Sequence, residues 1–479
     1  MNIERLKNIV LTLLLISSLV LTGQIWFNEK LWPEGYNFFV SVQASPIGQA
    51  FKWLAPAEQT QHNTEQQLIY PHHLVAYTVR DFDHVSLELT AEHRYFPSVD
   101  QFIRDAIRQA FAGDSKLMTK ITENDWQKAL FTRGLYVDYG ETYVAATFAD
   151  ILGVSPAISF PVKQVKDFIV VPGDNLSDNV VVFIKDDADA SFYKIPTDTL
   201  KSDLETLLNN LAEDATPRNR FSFFIETDIQ KGVEAVFDPY ILLREEGSVL
   251  PVIRGSNPFM RADGTLNLSS YAAERVLELF SINPRTARRY IGADESILYV
   301  QNQSTLKMNP LGTIEYTTVS DGRVFPLTDD FTQSTTAASL SAVMDIANGI
   351  NSAGEQRTEG LDFYLSSLTE NANGFVVTLD YLYQGIPVVF SDSLENSHAV
   401  YAEVENGYLK SYRHIVRTYQ SVNSNAMVLD SVGAADEVFL DNPISKIEDM
   451  FIGYADNGED SEKKPGWFVK LENMEGYKS

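Results

Sequence analysis

Seven histidines occur in the chain, and five of them, His62, His72, His73, His84 and His93, fall between positions 62 and 93. Imidazole is a frequent zinc donor, and three would suffice for a site. The steps between them are 10, 1, 11 and 9 residues, which match no local ligand pattern, so they read as solvated surface imidazoles. Asp186-Asp187-Ala188-Asp189 offers carboxylates to calcium, but it lacks the Gly and terminal Glu of an EF-hand loop and reads as a solvated turn. With 65 Asp and Glu residues, carboxylate pairs of the glycosidase kind are too common to be informative. His-Glu-x-x-His, Gly-x-Ser-x-Gly, the phosphate-binding loop and Gly-x-Gly-x-x-Gly are all absent. Cysteine is absent too, which excludes thiol catalysis and thiolate metal sites. No catalytic, cofactor-binding or metal-binding residue is assigned, and the chain is expected to have no enzymatic activity and no cofactor.

The elements that would position such residues are clearer. Ser98-Val99-Asp100-Gln101 has the form of a capping box, with Phe102, Ile103, Ala106, Ile107, Ala110 and Phe111 behind it at helical spacing. Ser202-Asp203-Leu204-Glu205 has the same form ahead of the stripe Leu204, Leu207, Leu208 and Leu211, with Pro217 as the stop. Ala337, Leu340, Met344, Ala347 and Ile350 predict a helix ending by Asn351. Leu135, Val137 and Tyr139 alternate as in a strand, and Val180 to Ile184 is a β-branched run. Tyr299 to Lys307 and Glu403 to Lys410 resemble one another: each places a turn-forming Asn between two short strands, and each leads to a further strand and a helical stretch. Either two related α+β modules or a chance likeness of two hairpins accounts for that. The 22 Tyr and 28 Phe could line a sugar or peptide groove, but the alternation of Tyr381 and Tyr383 fits core strand positions.

The chain of 479 residues is 44% hydrophobic and 11% aromatic, enough for two to four packed domains. Its formal net charge is -27; Glu4 against Arg5 and Lys7 leaves +1 on the first eight residues and -28 on the rest. Nucleic acid, which needs a basic surface, is excluded as a partner. Ile9 through Phe27 is a run of nineteen residues without a charge. As a helix it would span about 29 Å, close to a bilayer core of about 30 Å. Arg5 and Lys7 predict a cytoplasmic N-terminus, and Trp26, Phe27 and Trp32 sit where an outer aromatic belt would lie. A cleaved signal would be shorter and would end in small residues, whereas Thr22-Gly23 is followed by Gln24-Ile25-Trp26-Phe27. An uncleaved single-pass anchor is therefore expected. The lack of cysteine in so large an exported region suits a bacterium with one membrane, such as a Firmicute.

The anchor, followed by Leu31-Trp32-Pro33-Glu34-Gly35-Tyr36-Asn37, resembles the YycH (WalH) family. Met450-Phe451-Ile452-Gly453-Tyr454 with Lys464-Pro465-Gly466-Trp467-Phe468-Val469 is similar to the ending shared by YycH and its sister YycI. The resemblance implies a non-enzymatic regulator of the WalK–WalR two-component system of wall metabolism. It would act on the sensor histidine kinase WalK, together with a YycI-like sister, largely through transmembrane helices. Homo- or hetero-oligomers are both compatible with that role. The expected fold is α+β: one N-terminal transmembrane helix, then about three mixed α/β domains outside. The expected boundaries are 1–8 for a cytoplasmic head, 9–28 for the anchor, 29–197 for the first outer domain, 198–370 for the middle one and 371–479 for a YycI-like last one. Its last strand should contain Trp467 to Leu471, with Trp467 largely buried.

Within the anchor, Ser18 and Thr22 are four apart, a small-residue pair that permits close helix approach, and Gln24 can bond across helices near the outer edge. These three residues are the expected partner-binding side. An anchored wall enzyme and an anchored ligand-binding or adhesion module are the competing classes. A deep pocket with paired carboxylates would favour the first, an aromatic-lined cleft the second, and flat domains without a polar pocket the regulator.

Overall fold

The computed structural model describes residues 68–472, apart from 81–82, 91–92, 114–116, 157–159, 175–176, 215–220, 227–236, 260–269, 311, 319–323, 328–335, 354–357, 359, 392–397 and 442–445. The expected anchor, with Ser18, Thr22 and Gln24, and His62 all lie outside the described residues. Among the described residues no helix is long and apolar enough to cross a membrane.

The first part is built from β1 (His73–Arg80), β2 (Asp83–Glu88), α1 (Phe96–Ala112), β3 (Thr119–Ile121), α2 (Glu123–Leu130), β4 (Gly134–Val144), α3 (Ala145–Ile151), β5 (Gln164–Pro172), β6 (Asn179–Asp186), β7 (Ser191–Leu200) and α4 (Lys201–Asp214). The strands form one antiparallel sheet in the order β2-β1-β4-β5-β6-β7-β3. Both faces are covered. Leu135, Val137, Val182 and Ile184 pack with Ile103, Ala106, Ile107 and Phe111 of α1 and with Leu204, Leu208 and Leu211 of α4. The intervening Tyr136, Val181 and Phe183 face Trp126 and Leu130 of α2. That is why β4 is buried without interruption from Gly134 to Gly140.

Neither expected capping box forms. Pro97 starts α1 a turn earlier, so Ser98 lies inside it, and Asp100 receives Arg104 Nε at 2.8 Å instead. α4 begins at Lys201, directly after β7, which leaves Ser202 within the helix. A capping box does form at Thr122, with the Asp125 carboxylate reaching back to the Thr122 backbone N–H. The helix Thr336–Ala353 ends two residues beyond the expected Asn351. The turn after β6 is exposed at Ala188 and Asp189, as expected, but Asp186 is 1% exposed and accepts the backbone N–H groups of Lys163, Gln164 and Ala188.

Next come β8 (Phe221–Phe223), β9 (Leu242–Arg244), which pairs with it, β10 (Ser248–Ser256) and α5 (Ser270–Leu279). The remainder comprises β11 (Arg288–Ile291), β12 (Ile297–Gln301), β13 (Ser304–Met308), β14 (Thr313–Thr318), α6 (Thr336–Ala353), β15 (Leu361–Asn371), β16 (Gly374–Tyr383), β17 (Ile386–Phe390), β18 (Val400–Glu405), β19 (Tyr408–Ile415), β20 (Thr418–Val428), α7 (Ser431–Asp441), β21 (Ile447–Asp456), β22 (Glu462–Lys463) and β23 (Pro465–Leu471). An eleven-stranded sheet runs β11-β12-β13-β14-β19-β18-β16-β17-β21-β23, with β15 added beside β16. It branches at β16. Gly374 to Leu379 pair with β18, and Tyr381 to Tyr383 pair with β17, which leads in parallel to β21. A boundary at 370/371 therefore falls at the tip of the β15–β16 hairpin, and one at 197/198 falls inside β7.

Both similar segments are hairpins with two-residue turns, β12–β13 around Asn302 and β18–β19 around Asn406, each Asn at positive φ. Each is followed by a strand and a helix, β14 with α6 and β20 with α7. They part at the third strand: β14 stays in the large sheet, whereas β20 leaves it to pair with β10 in a separate sheet with β22. Trp467 lies in the last strand as expected, but it is half-buried, and its indole N–H donates to Leu429 O at 3.0 Å.

The first sheet is tied to the rest through α3. Asp150 accepts the N–H of Ala337 in the first turn of α6 at 3.0 Å, so it caps that helix from another element. Thr147 donates to Glu370, and Tyr143 Oη to Leu365 O at 3.4 Å.

Candidate functional site

β1 opens beside the far end of the chain. His72 N–H donates to Asp138 O of β4 at 2.7 Å, and His73 Nδ1 lies 3.0 Å from Glu88 Oε1 on β2. Asp449 of β21 closes the group, with His73 Nε2 3.6 Å from Oδ1 and His72 Nε2 3.9 Å from Oδ2. Two backbone irregularities produce this convergence. In β21 the register against β23 shifts between Ile447 and Asp449. Ile447 and Met450, three apart, therefore pack into the same apolar cluster, and Asp449 turns the other way with Phe451. In β4 the register shifts after Asp138, where Gly140 adopts φ +78°. A Cβ at Gly140 would lie 3.1 Å from His72 Nδ1, so glycine makes room for that ring as well as the turn. Phe451 meets the His72 ring edge to face at 4.5 Å.

The side chains of His72, His73 and Asp449 are 11%, 7% and 9% exposed, so the solvated-imidazole reading fails for both histidines. Burial sets their charges apart. Burial and the neighbouring His73 hold the His72 pKa down to about 4. For His73, burial opposes the charge, but the nearby carboxylate of Asp449 and the hydrogen-bonded carboxylate of Glu88 outweigh it and lift the pKa to about 10. Asp449 is buried too, yet His73 and His72 hold it well below the usual carboxylate range. Behind them Lys166 Nζ is 3.4 Å from Asp138, and burial together with Asp138 raises Asp167 to about 7. At neutral pH the group is thus a charged His73 between two carboxylates, beside a neutral His72.

A cavity of about 340 Å³ adjoins the cluster. His72, His73 and Glu88 line it, with an aromatic wall that includes Tyr70, Phe96, Tyr139, Tyr364, Phe451 and Trp467. This is an aromatic-lined cleft, the feature expected of the ligand-binding class, with one carboxylate at its rim instead of a facing pair.

A second group has serine-hydrolase residue types. Ser366 Oγ is 3.3 Å and Asp380 Oδ2 2.7 Å from His398, but both reach the same nitrogen, Nδ1. A triad needs the serine and the acid on opposite ring nitrogens, so this arrangement cannot pass a proton from one to the other. Burial opposes charge on His398, and Asp380 raises its pKa.

Of the five clustered histidines, His72 and His73 come together, His84 lies in β2 and His93 in the loop before α1. Sequence reasoning missed Asp449 and Glu88. The one available signal was His72-His73 at the head of a strand, because both acids arrive from other strands.

Mostly antiparallel sheets covered by helices, with a branched final sheet and a buried ionic group where the first sheet meets β21, define an α+β fold. The structure is similar to YycH from Bacillus subtilis, with a TM-score of 0.55 at 11% identity, covering 86% of this chain and 96% of that one. The resemblance seen in the sequence is thus met in the fold. No family model matches the sequence, and no curated protein matches it.

Proposed function

We propose that this chain is a membrane-anchored, non-enzymatic regulator of a sensor histidine kinase of the WalK type, serving cell-wall homeostasis. The observation that carries the reading is the YycH fold over 86% of the chain, joined to an uncharged run at residues 9–27. In this reading the N-terminus is cytoplasmic and the folded part lies outside the membrane. The anchor packs against kinase helices through Ser18, Thr22 and Gln24, with a YycI-like sister beside it. The three outer domains expected from sequence present the anchor and hold it in place. The test is site-specific photo-crosslinking in membranes from position 18, 22 or 24, followed by mass spectrometry. Adducts with the sensor kinase or the sister protein are expected. Adducts with lipid alone, from all three positions, would overturn the reading.

The aromatic-lined cavity supports a second reading, a ligand-binding module. A wall-derived saccharide or peptide that raises the melting temperature, with the shift lost in Phe451→Ala, would favour it.

A further inference from the structure

We propose that His72, His73 and Asp449 form a binding site for a divalent transition metal ion of the Zn²⁺ class, with a fourth position open to the adjoining cavity. This goes beyond the regulatory reading and does not depend on it. One donor atom from each of the three residues lies within 4.8 Å of the other two. Zinc holds nitrogen and carboxylate oxygen at about 2.0–2.2 Å, so ligand atoms of a tetrahedral site are roughly 3.3–3.6 Å apart. His73 Nε2 is 3.6 Å from Asp449 Oδ1 and His72 Nε2 3.9 Å from Oδ2, beyond hydrogen-bond length, and an ion would draw one donor atom of each residue together from within 4.8 Å.

The surroundings match a metal centre in three further respects. His73 Nδ1 is bonded to Glu88 at 3.0 Å, which directs Nε2 toward Asp449; a carboxylate behind a ligating histidine is the usual outer support. Asp449 Oδ1 accepts the N–H of Met450 at 2.8 Å, which fixes the carboxylate. The cavity provides an entry path and space for a water or ligand atom as fourth donor. Two imidazoles select a borderline metal over Mg²⁺ or Ca²⁺, which prefer all-oxygen shells. On binding, the proton on His73 leaves to solvent and the ion supplies the positive charge between the two carboxylates. Because β1 and β21 come from opposite ends of the described chain, the ion would clamp the first sheet to the last.

The experiment uses the full chain in detergent, stripped with a chelator and titrated with Zn²⁺ by calorimetry, with Mg²⁺ as control and Co²⁺ as spectroscopic probe. One Zn²⁺ per chain is expected, with no Mg²⁺ binding and the visible absorption of a tetrahedral Co²⁺ centre. Asp449→Asn and His73→Gln should abolish the Co²⁺ spectrum. Glu88→Gln, which keeps the ligands and guards against misfolding of the others, should weaken Zn²⁺ binding about tenfold to a hundredfold. No saturable Zn²⁺ binding by the folded native chain would overturn the proposal. So would binding of equal strength in Asp449→Asn and Glu88→Gln, which would mark adventitious histidines elsewhere.

Discussion

Two buried ionic groups in this molecule are built in opposite ways. Around Arg417, which is fully buried, every direction is filled: Nε donates to Asp456 at 3.1 Å, Nη1 to Asp460 at 2.8 Å and Nη2 to Glu459 O at 2.7 Å. Asp456 is itself shared by Tyr419 Oη at 2.9 Å and Lys463 Nζ at 3.2 Å. Gly255 passes so close that a Cβ would come within 3.0 Å of Arg417 Nη2. Around Asp449 the donors stand 3.6 and 3.9 Å off, and the group borders a cavity. A closed network of this kind fixes where β20 and β21 lie and leaves no space for a ligand. A group whose donors stand apart beside a void keeps a position for something to enter. Both groups are buried and charged; the spacing and the void set them apart.

The contrast can be broken by substitution, and the largest effect belongs to the closed group. Arg417→Ala leaves Asp456 buried beside one remaining cation, and loss of one partner from a buried pair costs about 3–5 kcal/mol. Urea unfolding should show that loss; a change under about 1 kcal/mol would mean that water or Lys463 compensates.

A smaller effect comes from His414, next to the closed group, which is fully buried against Tyr381 Oη at 2.9 Å and Tyr412 Oη at 3.1 Å. Burial holds its pKa down to about 3. Between that value and the ordinary one near 6.5, the unfolded chain binds the proton and the folded chain does not. Stability therefore rises with pH across this window and is lost as pH falls. One group contributes about 2 kcal/mol between pH 6.5 and 5. His414→Gln should flatten the acid limb of stability by that amount, and an unchanged limb would show that this ring is protonated in the fold.

The smallest effect is expected at the open group. Glu88→Gln keeps a hydrogen-bond acceptor for His73 and removes one charge, for about 1 kcal/mol in the metal-free protein. A loss as large as that of Arg417→Ala would place the open group with the closed one, as a structural device.

Much of the first sheet, and two hairpins of the large one, were legible in the sequence because their signals are local. Phe102 to Phe111 and Leu204 to Leu211 keep helical period, Val180 to Ile184 is β-branched, and Asn302 and Asn406 mark hairpin turns. Helix starts were misread because Pro97 and the end of β7 outrank a nearby Ser. The departure of β20 to β10 and the branch at β16 were not legible, since strand partners far apart in sequence leave no periodic trace. The candidate site was hidden for the same reason. His72-His73 is visible as a pair, but its acid arrives from position 449, turned inward by a bulge that alternation does not foretell.

Whatever the open group binds, the proposed action on the kinase passes through the anchor. Helix association in lipid relies on close packing and interhelical hydrogen bonds of about 0.6–2 kcal/mol each, so several contacts suffice to shift a kinase between states by a few kcal/mol. The most direct measurement is kinase output in cells whose copy of this chain has residues 9–28 replaced by an unrelated membrane-spanning sequence. Output is expected to change, as it should for Ser18→Ile with Thr22→Ile, while membrane insertion and the outer fold remain intact. Output that survives the swap but disappears when the outer domains are removed would contradict signalling through the anchor.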